Sequence, residues 1–267
     1  MNLEMFDLSG RVALVSGAAN GLGKAMATAL AEAGADLLIV DIELEGLKKT
    51  EQEIAALGRK VVSQICNIEE FKAIDLLFET LDREFGQIDF LGNVAGNAHR
   101  EDPLTIDIEK VAAGMQSLAI ARFYMCQKAG KRMVARGKGS IVNIGSLASL
   151  NALGRGAVAY SMAMGAVVQM TRELSTEWSG RGVRVNAILP GQVMNSGLAA
   201  WIKEDPEMER VFLRGLPIGR MGKPDDIKGL SILLASDASS FITGALIPMD
   251  GGNLAKNAGG SHFGFEK

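Results

Sequence analysis

Short apolar runs alternate with longer stretches of helical period along most of the chain. Residues 11–16, 36–41, 60–65, 88–93, 140–144, 183–188 and 245–249 are compact, largely apolar runs, as strands covered on both faces require. Between them, residues 21–33, 43–57, 69–85, 106–136, 159–178 and 224–235 repeat apolar positions three and four apart, so each predicts a helix with a buried stripe. Strands separated by helices need crossover connections, which are right-handed. The pattern therefore predicts an α/β fold: a seven-stranded parallel sheet, doubly wound, with helices on both faces. At 267 residues the chain suffices for one such domain, 1–267. The stretch 192–221 is too long for an ordinary connection and is expected to be an irregular lid over a substrate. The Gly-bearing tail from Ala255 is expected to dock on a surface such as a neighbouring subunit.

Composition narrows the partners. The net charge of −3 comes with no basic run, which argues against nucleic acid. No stretch approaches eighteen consecutive apolar residues, so no membrane span is expected. The first eleven residues carry Glu4 and Asp7 and lack the apolar run of a secretory leader. Cys66 and Cys126 each sit in apolar sequence and are expected to be small buried hydrophobes in a reducing compartment. A cytoplasmic protein without a metal site is the expectation.

The first strand runs into Ser16-Gly17-Ala18-Ala19-Asn20-Gly21-Leu22-Gly23 and then an Ala-rich helix. Gly17, Gly21 and Gly23 allow a tight turn and close approach of the backbone to a pyrophosphate. The helix N-terminus, through Asn20, Gly21 and Leu22, offers free N–H groups to its charge. Eighteen residues after Gly23, the second strand ends in Asp41, a carboxylate suited to accept from the hydroxyls of an adenosine ribose. Asp41 would repel a 2′-phosphate, and the places for a compensating cation hold Ala18, Asn20 and Ile42. The spacing therefore predicts a Rossmann-type site for NAD(H) rather than NADP(H).

With these features the chain resembles the short-chain dehydrogenase/reductase family over nearly its whole length. The likeness rests on the glycine pattern above, with Ser16 in place of Thr, and on Asn93-Val94-Ala95-Gly96 and Asn186-Ala187-Ile188-Leu189-Pro190-Gly191. It extends to Pro217-Ile218-Gly219-Arg220-Met221-Gly222-Lys223-Pro224 and to Ile242-Thr243-Gly244 with Asp250-Gly251-Gly252. The resemblance implies that Asn67 and Ile68 flank the adenine and that Asn93, Ala95 and Gly96 lie along the cofactor. It further implies that Pro190, Gly191 and Val193 border the nicotinamide, with Asn195 as a polar contact. Ser146 maps to the serine that orients the carbonyl, and Tyr160 to the tyrosine that exchanges the proton and touches the cofactor.

Two members of the family's catalytic set are absent. The lysine position, four residues after Tyr160 and so on the same helical face, is Met164, and the asparagine position is Leu118. An ordinary phenol titrates near ~10, so without a neighbouring cation roughly one in a thousand is ionised at neutral pH. Alcohol oxidation should be slowed more than carbonyl reduction, because the neutral phenol is already the proton donor. Candidate replacements are His99, Arg100 and Arg155. Met194, Leu198, Trp201 and Phe212 are expected to line a partly apolar substrate pocket, while Met115, Met162 and Met170 are assigned to packing. Two readings follow. The first is an NAD(H)-dependent oxidoreductase acting on a secondary alcohol or ketone; the second is an NAD(H)-binding scaffold or regulatory protein without turnover. The resemblance also implies a homotetramer or homodimer, joined through 106–136 and 159–178.

Overall fold

The computed structural model describes residues 3–205 and 207–256. In chain order the elements are β1 Val12–Ser16, α1 Gly21–Glu32, β2 Asp36–Asp41, α2 Leu44–Ala56, β3 Val61–Ile65, α3 Phe71–Glu84 and β4 Phe90–Asn93. There follow α4 Ile108–Met115, α5 Ala121–Arg136, β5 Gly139–Ile144, α6 Val158–Trp178 and β6 Val183–Pro190. The chain continues through α7 Ser196–Glu204, α8 Glu207–Arg214, α9 Lys228–Ala235 and β7 Leu246–Met249. All seven strands join one parallel sheet in the order β3-β2-β1-β4-β5-β6-β7. The order reverses between β1 and β4. In a doubly wound sheet that reversal opens a crevice at the carboxyl ends of the strands, and the candidate site lies there.

Alternation along the strands explains the two layers. Ala13 and Val15 of β1 and Leu37 and Ile39 of β2 face a core built with Met26 and Leu30 of α1, Leu47 and Ile54 of α2 and Leu234 of α9. Their neighbours Val12, Leu14, Leu38 and Val40 face the other side, against Ile74, Leu77 and Phe78 of α3 and Met125 and Met133 of α5. Both faces are covered, so both parities are apolar. Each large side chain so buried contributes about 1.5–3 kcal/mol relative to exposure, and register slips are strongly disfavoured.

The structure departs from expectation in three places. The single helix expected over 106–136 is two helices joined by a π turn at Gln116–Ile120. One inserted residue of this kind leaves the apolar pattern intact on both sides, which is why the periodicity does not reveal it. The region 192–221 is not irregular throughout but contains α7 and α8. Phe212, Leu216 and Met221 bury there against Met194, Leu198 and Ile202 as a small core of their own. Met162 does not pack inside but is 52% exposed, whereas Met115 and Met170 do join cores. The tail from Ala255 lies beyond Lys256 for most of its length, outside the described residues. No helix among the described residues is long and apolar enough to cross a membrane, and no group of three metal-binding side chains occurs among them.

Candidate active site

The turn between β1 and α1 is held from several sides. Ala18 N–H donates to Val40 O (3.1 Å), and the Thr50 hydroxyl donates to Ala18 O (2.9 Å). Gly17 adopts φ +71, and a Cβ on Gly23 would lie 2.0 Å from Gly17 O. Helix α1 therefore starts jammed beneath the turn. By contrast a Cβ on Gly21 (φ +55) would meet nothing within 4 Å, so open space fronts the first helical turn. The N–H groups of that turn have no partner within the helix, and the N-cap Asn20 makes no side-chain capping bond. This cradle suits a dinucleotide pyrophosphate. Gly23→Ala is expected to abolish NADH binding, because the added methyl must push the turn off the helix; fluorescence titration would check it, and undiminished affinity would refute the assignment.

Asp41 ends β2 with its carboxylate fixed by three backbone donors: Ala19 N–H (3.0 Å) to Oδ2, and Ile42 N–H (2.8 Å) and Glu43 N–H (3.1 Å) to Oδ1. One lone pair on Oδ2 remains for a ribose hydroxyl. Ile42 beside it is 70% exposed, an apolar surface with no cation. Asn67 turns its side-chain carbonyl onto Glu69 N–H (3.1 Å) and its amide onto Glu70 (3.2 Å), so its adenine-facing role would use the one lone pair left. Ile68 is buried in the core beside α3, leaving only its backbone for an adenine.

At the carboxyl end of β4 the Ser16 hydroxyl accepts from Val94 N–H (3.1 Å) and Ala95 N–H (3.2 Å), tying the two sides of the crevice together. The Asn93 side chain turns inward, so a contact of this residue with a cofactor would be made by its backbone. It is fully buried and donates to Asn143 Oδ1 (2.9 Å) and Cys126 Sγ (3.1 Å), which fix its direction inward. Gly96 (φ +126) is pressed against Leu118, where a Cβ would approach to 2.8 Å.

Beneath this edge lies Arg122 of α5, which the sequence reading missed. Its guanidinium donates to Ala95 O (2.8 Å), Val94 O (2.8 Å) and Ile144 O, and no carboxylate among the described residues pairs with it. Burial pushes Arg122 down to about 10, while Tyr160 and Cys126 act in the opposite direction. A signal was present: Leu118, Arg122, Met125, Cys126, Ala129 and Met133 form one buried stripe at helical spacing, and an arginine within such a stripe is rarely without a task. Burial likewise raises the thiols of Cys66 to about 11 and Cys126 to about 12, so both are inert apolar fillers, as expected.

Ser146 and Tyr160 open onto one cleft of about 510 Å³ with Pro190, Gly191, Val193 and Asn195. Ser146 Oγ accepts from Ala148 N–H (3.2 Å) as the cap of a short turn at Leu147–Ser149. Its hydroxyl proton remains free to donate. Met164 and Leu118, 2% and 1% exposed, are not independent losses. They pack into the same apolar cluster with Ala148, Ala163 and Val167, and Tyr160 rests against it. Where the resemblance places a lysine and an asparagine, the fold has an apolar cluster.

On the far side, Gly222 N–H donates to Gln192 O and Met194 N–H to Gly222 O (2.9 Å each), a parallel bridge at Val193. That register points the N–H and C=O of Val193 away from the bridge. Asn195 is exposed, uses its side-chain carbonyl to cap α7 through Leu198 N–H (2.9 Å) and turns its amide onto Val193 O (3.4 Å), so one amide hydrogen is left for a ligand. Trp201 and Phe212 meet edge to face at 6.0 Å in the cleft wall, with Leu198 beside them. Met194 instead packs in the small core beneath α7 and α8. Arg100 and Arg155 line the cleft, but His99 does not; it borders a smaller recess with Glu69 and Ser117. Gln192, whose side-chain oxygen is buried without a partner, was also missed.

This geometry has close counterparts. The family model described as Enoyl-(Acyl carrier protein) reductase matches residues 17–253. The chain is 38% identical to the 2-dehydro-3-deoxy-D-gluconate 5-dehydrogenase of Pseudoalteromonas atlantica, over 95% of this chain and 100% of that one. It is 36% identical to the galactitol 2-dehydrogenase (L-tagatose-forming) of Cereibacter sphaeroides, over 93% and 96%. A solved structure from Agrobacterium tumefaciens, named as a 2-deoxy-D-gluconate 3-dehydrogenase with bound NADP, superposes with a TM-score of 0.86 at 32% identity, over 94% and 99%. With its seven-stranded parallel sheet, its glycine turn and these full-length matches, the chain belongs to the short-chain dehydrogenase/reductase family.

Proposed function

We propose that the chain is an NAD(H)-dependent oxidoreductase acting on a secondary alcohol or ketone, with Tyr160 exchanging the proton and Ser146 orienting the reacting oxygen. The observation that carries this reading is the opening of Ser146 and Tyr160 onto one cleft bordered by Pro190, Gly191 and Val193. When bound, the cofactor supplies or accepts the hydride. Ser146 donates its free O–H to the substrate oxygen. Tyr160 gives a proton to that oxygen in reduction and takes it in oxidation, and the wall of Leu198, Trp201 and Phe212 excludes water. Arg100 lies 5.5 Å over the Tyr160 ring and Arg122 lies behind it, so positive charge near the phenol survives the loss of the lysine. Purified chain incubated with NAD⁺ and a panel of polyols and hydroxy acids is expected to reduce the cofactor. Firm NADH binding without turnover of any compound in either direction would favour the second reading, a binding protein, for which the dry cluster at Leu118 and Met164 is the motive.

NAD(H) is proposed over NADP(H) because Asp41 is locked in place and Ile42 offers no cation, although a relative binds NADP. Asp41→Asn is expected to weaken NADH by about tenfold, the worth of one charge-assisted hydrogen bond, and to narrow its preference over NADPH. Equal affinity of the unchanged chain for the two would overturn this choice. Homodimer or homotetramer formation through α5 and α6 is proposed in addition, supported by the exposed Phe123 and Met162 on them.

A further inference from the structure

The cleft contains two arginines and no carboxylate. The backbone sets them side by side: Glu101 N–H donates to Gly156 O (3.0 Å), and Arg100 and Arg155 are the residues just before these two partners. Arg155 is the one non-glycine residue with positive φ among those described, at +57 between Gly154 and Gly156, both at +67. A side chain in that region is sterically disfavoured, so the turn holds a guanidinium where a third glycine would be easier. Each arginine is laid on an aromatic face, Arg155 at 5.1 Å from the Phe212 centroid and Arg100 at 5.5 Å from that of Tyr160. Neither has an ion-pair partner among the described residues. The nearest acidic neighbour in sequence, Glu101, is occupied by Lys110. Desolvation first and the charge of Arg100 second hold Arg155 below the ordinary arginine range. The missing element in this arrangement is a counter-charge.

We infer that the substrate carries an anionic group, a carboxylate or phosphate, seated between Arg100 and Arg155. This deepens the reading of the same cleft given above and rests on it. Guanidinium forks match the oxygens of carboxylates and phosphates, and both arginines line the same cleft with no acidic side chain in its wall. The anion would sit one side of Tyr160, leaving an interior hydroxyl-bearing carbon to face Tyr160 and Ser146.

The test uses a matched pair that differs at one carbon, D-gluconate and D-glucitol, with D-glucitol 6-phosphate as a third arm. Each is titrated into the full chain with saturating NADH, where an alcohol cannot react, and followed by the fluorescence of Trp201 in the cleft wall. Gluconate or the phosphate ester is expected to bind at least tenfold more tightly than glucitol, and whichever is tighter names the anion. Arg155→Gln is expected to weaken the anion at least tenfold more than glucitol, and Arg155→Lys to recover part of the loss. Comparable affinity for all three ligands, or an equal loss for glucitol and the anions in Arg155→Gln, would overturn the inference. Because binding is read without turnover, a failure of the oxidoreductase reading appears separately: the anion binds, and no hydride moves with NAD⁺ present.

Discussion

Tyr160→Phe is expected to lower kcat/KM in both directions by roughly 100- to 10,000-fold, the range for losing a positioned proton donor or acceptor, while NADH affinity changes little. The ring packs against the cluster of Leu118, Ala163 and Met164 and under Arg100; Phe preserves both contacts, so folding and the cleft wall are retained. The hydroxyl alone is removed. Steady-state rates together with a cofactor titration would check this, and unchanged rates would exclude Tyr160 as the proton-transfer group. The change also separates the two readings of the chain. A pure binding protein has no rate to lose, and a proton route that bypasses the phenol would keep its rate intact.

The second large effect concerns Met164. Restoring the lysine alone is not expected to be benign: position 164 is 2% exposed in an apolar cluster, and an unpaired ammonium there costs several kcal/mol of desolvation. Met164→Lys should therefore lower the melting temperature. Combined with Leu118→Asn, which supplies a polar partner in the same cluster, the loss should shrink. The double variant should bring the rate of alcohol oxidation to its plateau at lower pH, because a nearby cation favours the ionised phenol. Each pKa unit gained is worth about 1.4 kcal/mol, or tenfold in rate at a pH below that plateau. A pH–rate profile and a thermal melt of the three proteins would check it. No gain in the double variant, with cofactor affinity intact, would mean that the proton leaves by a route that does not need the lost pair.

The order of these expectations reflects where charge sits. Arg122, buried with three carbonyl partners at the ends of β4 and β5, places a cation behind the crevice without exposing it to the cofactor ribose. Arg100 places another above the Tyr160 ring. In the proposed reading neither would donate to a ribose as a lysine at 164 would, so the proposed adenosine and pyrophosphate half, with Asp41 and the glycine turn, holds more polar partners than the proposed nicotinamide half.

Several parts of this protein were legible from local sequence. The strand at Asp36–Asp41 was read with its ends intact, because a doubly covered strand is apolar at every position between two polar ends. The turn at Gly17 to Gly23 was legible because its conformation depends on missing Cβ atoms, a property of single residues. The inward direction of the Asn93 side chain is not legible locally, because it is set by Asn143 and Cys126, which arrive from other elements fifty and thirty-three residues away. The helices within 192–221 are not legible because they are short, nine and eight residues, and their apolar residues serve a small core of their own rather than a long stripe.

The sequence by itself determined the parallel doubly wound sheet, the cradle at the start of α1 and the family, since periodicity and glycine placement are local and survive any packing detail. Tertiary structure decided the rest. It joined Leu118 to Met164 in one dry cluster, turned Arg122 inward beneath the crevice, and brought Arg100 beside Arg155 through a backbone hydrogen bond across fifty-five residues. Contacts of that range depend on how crossovers bring distant loops to the same edge of a sheet, and no spacing along the chain records them.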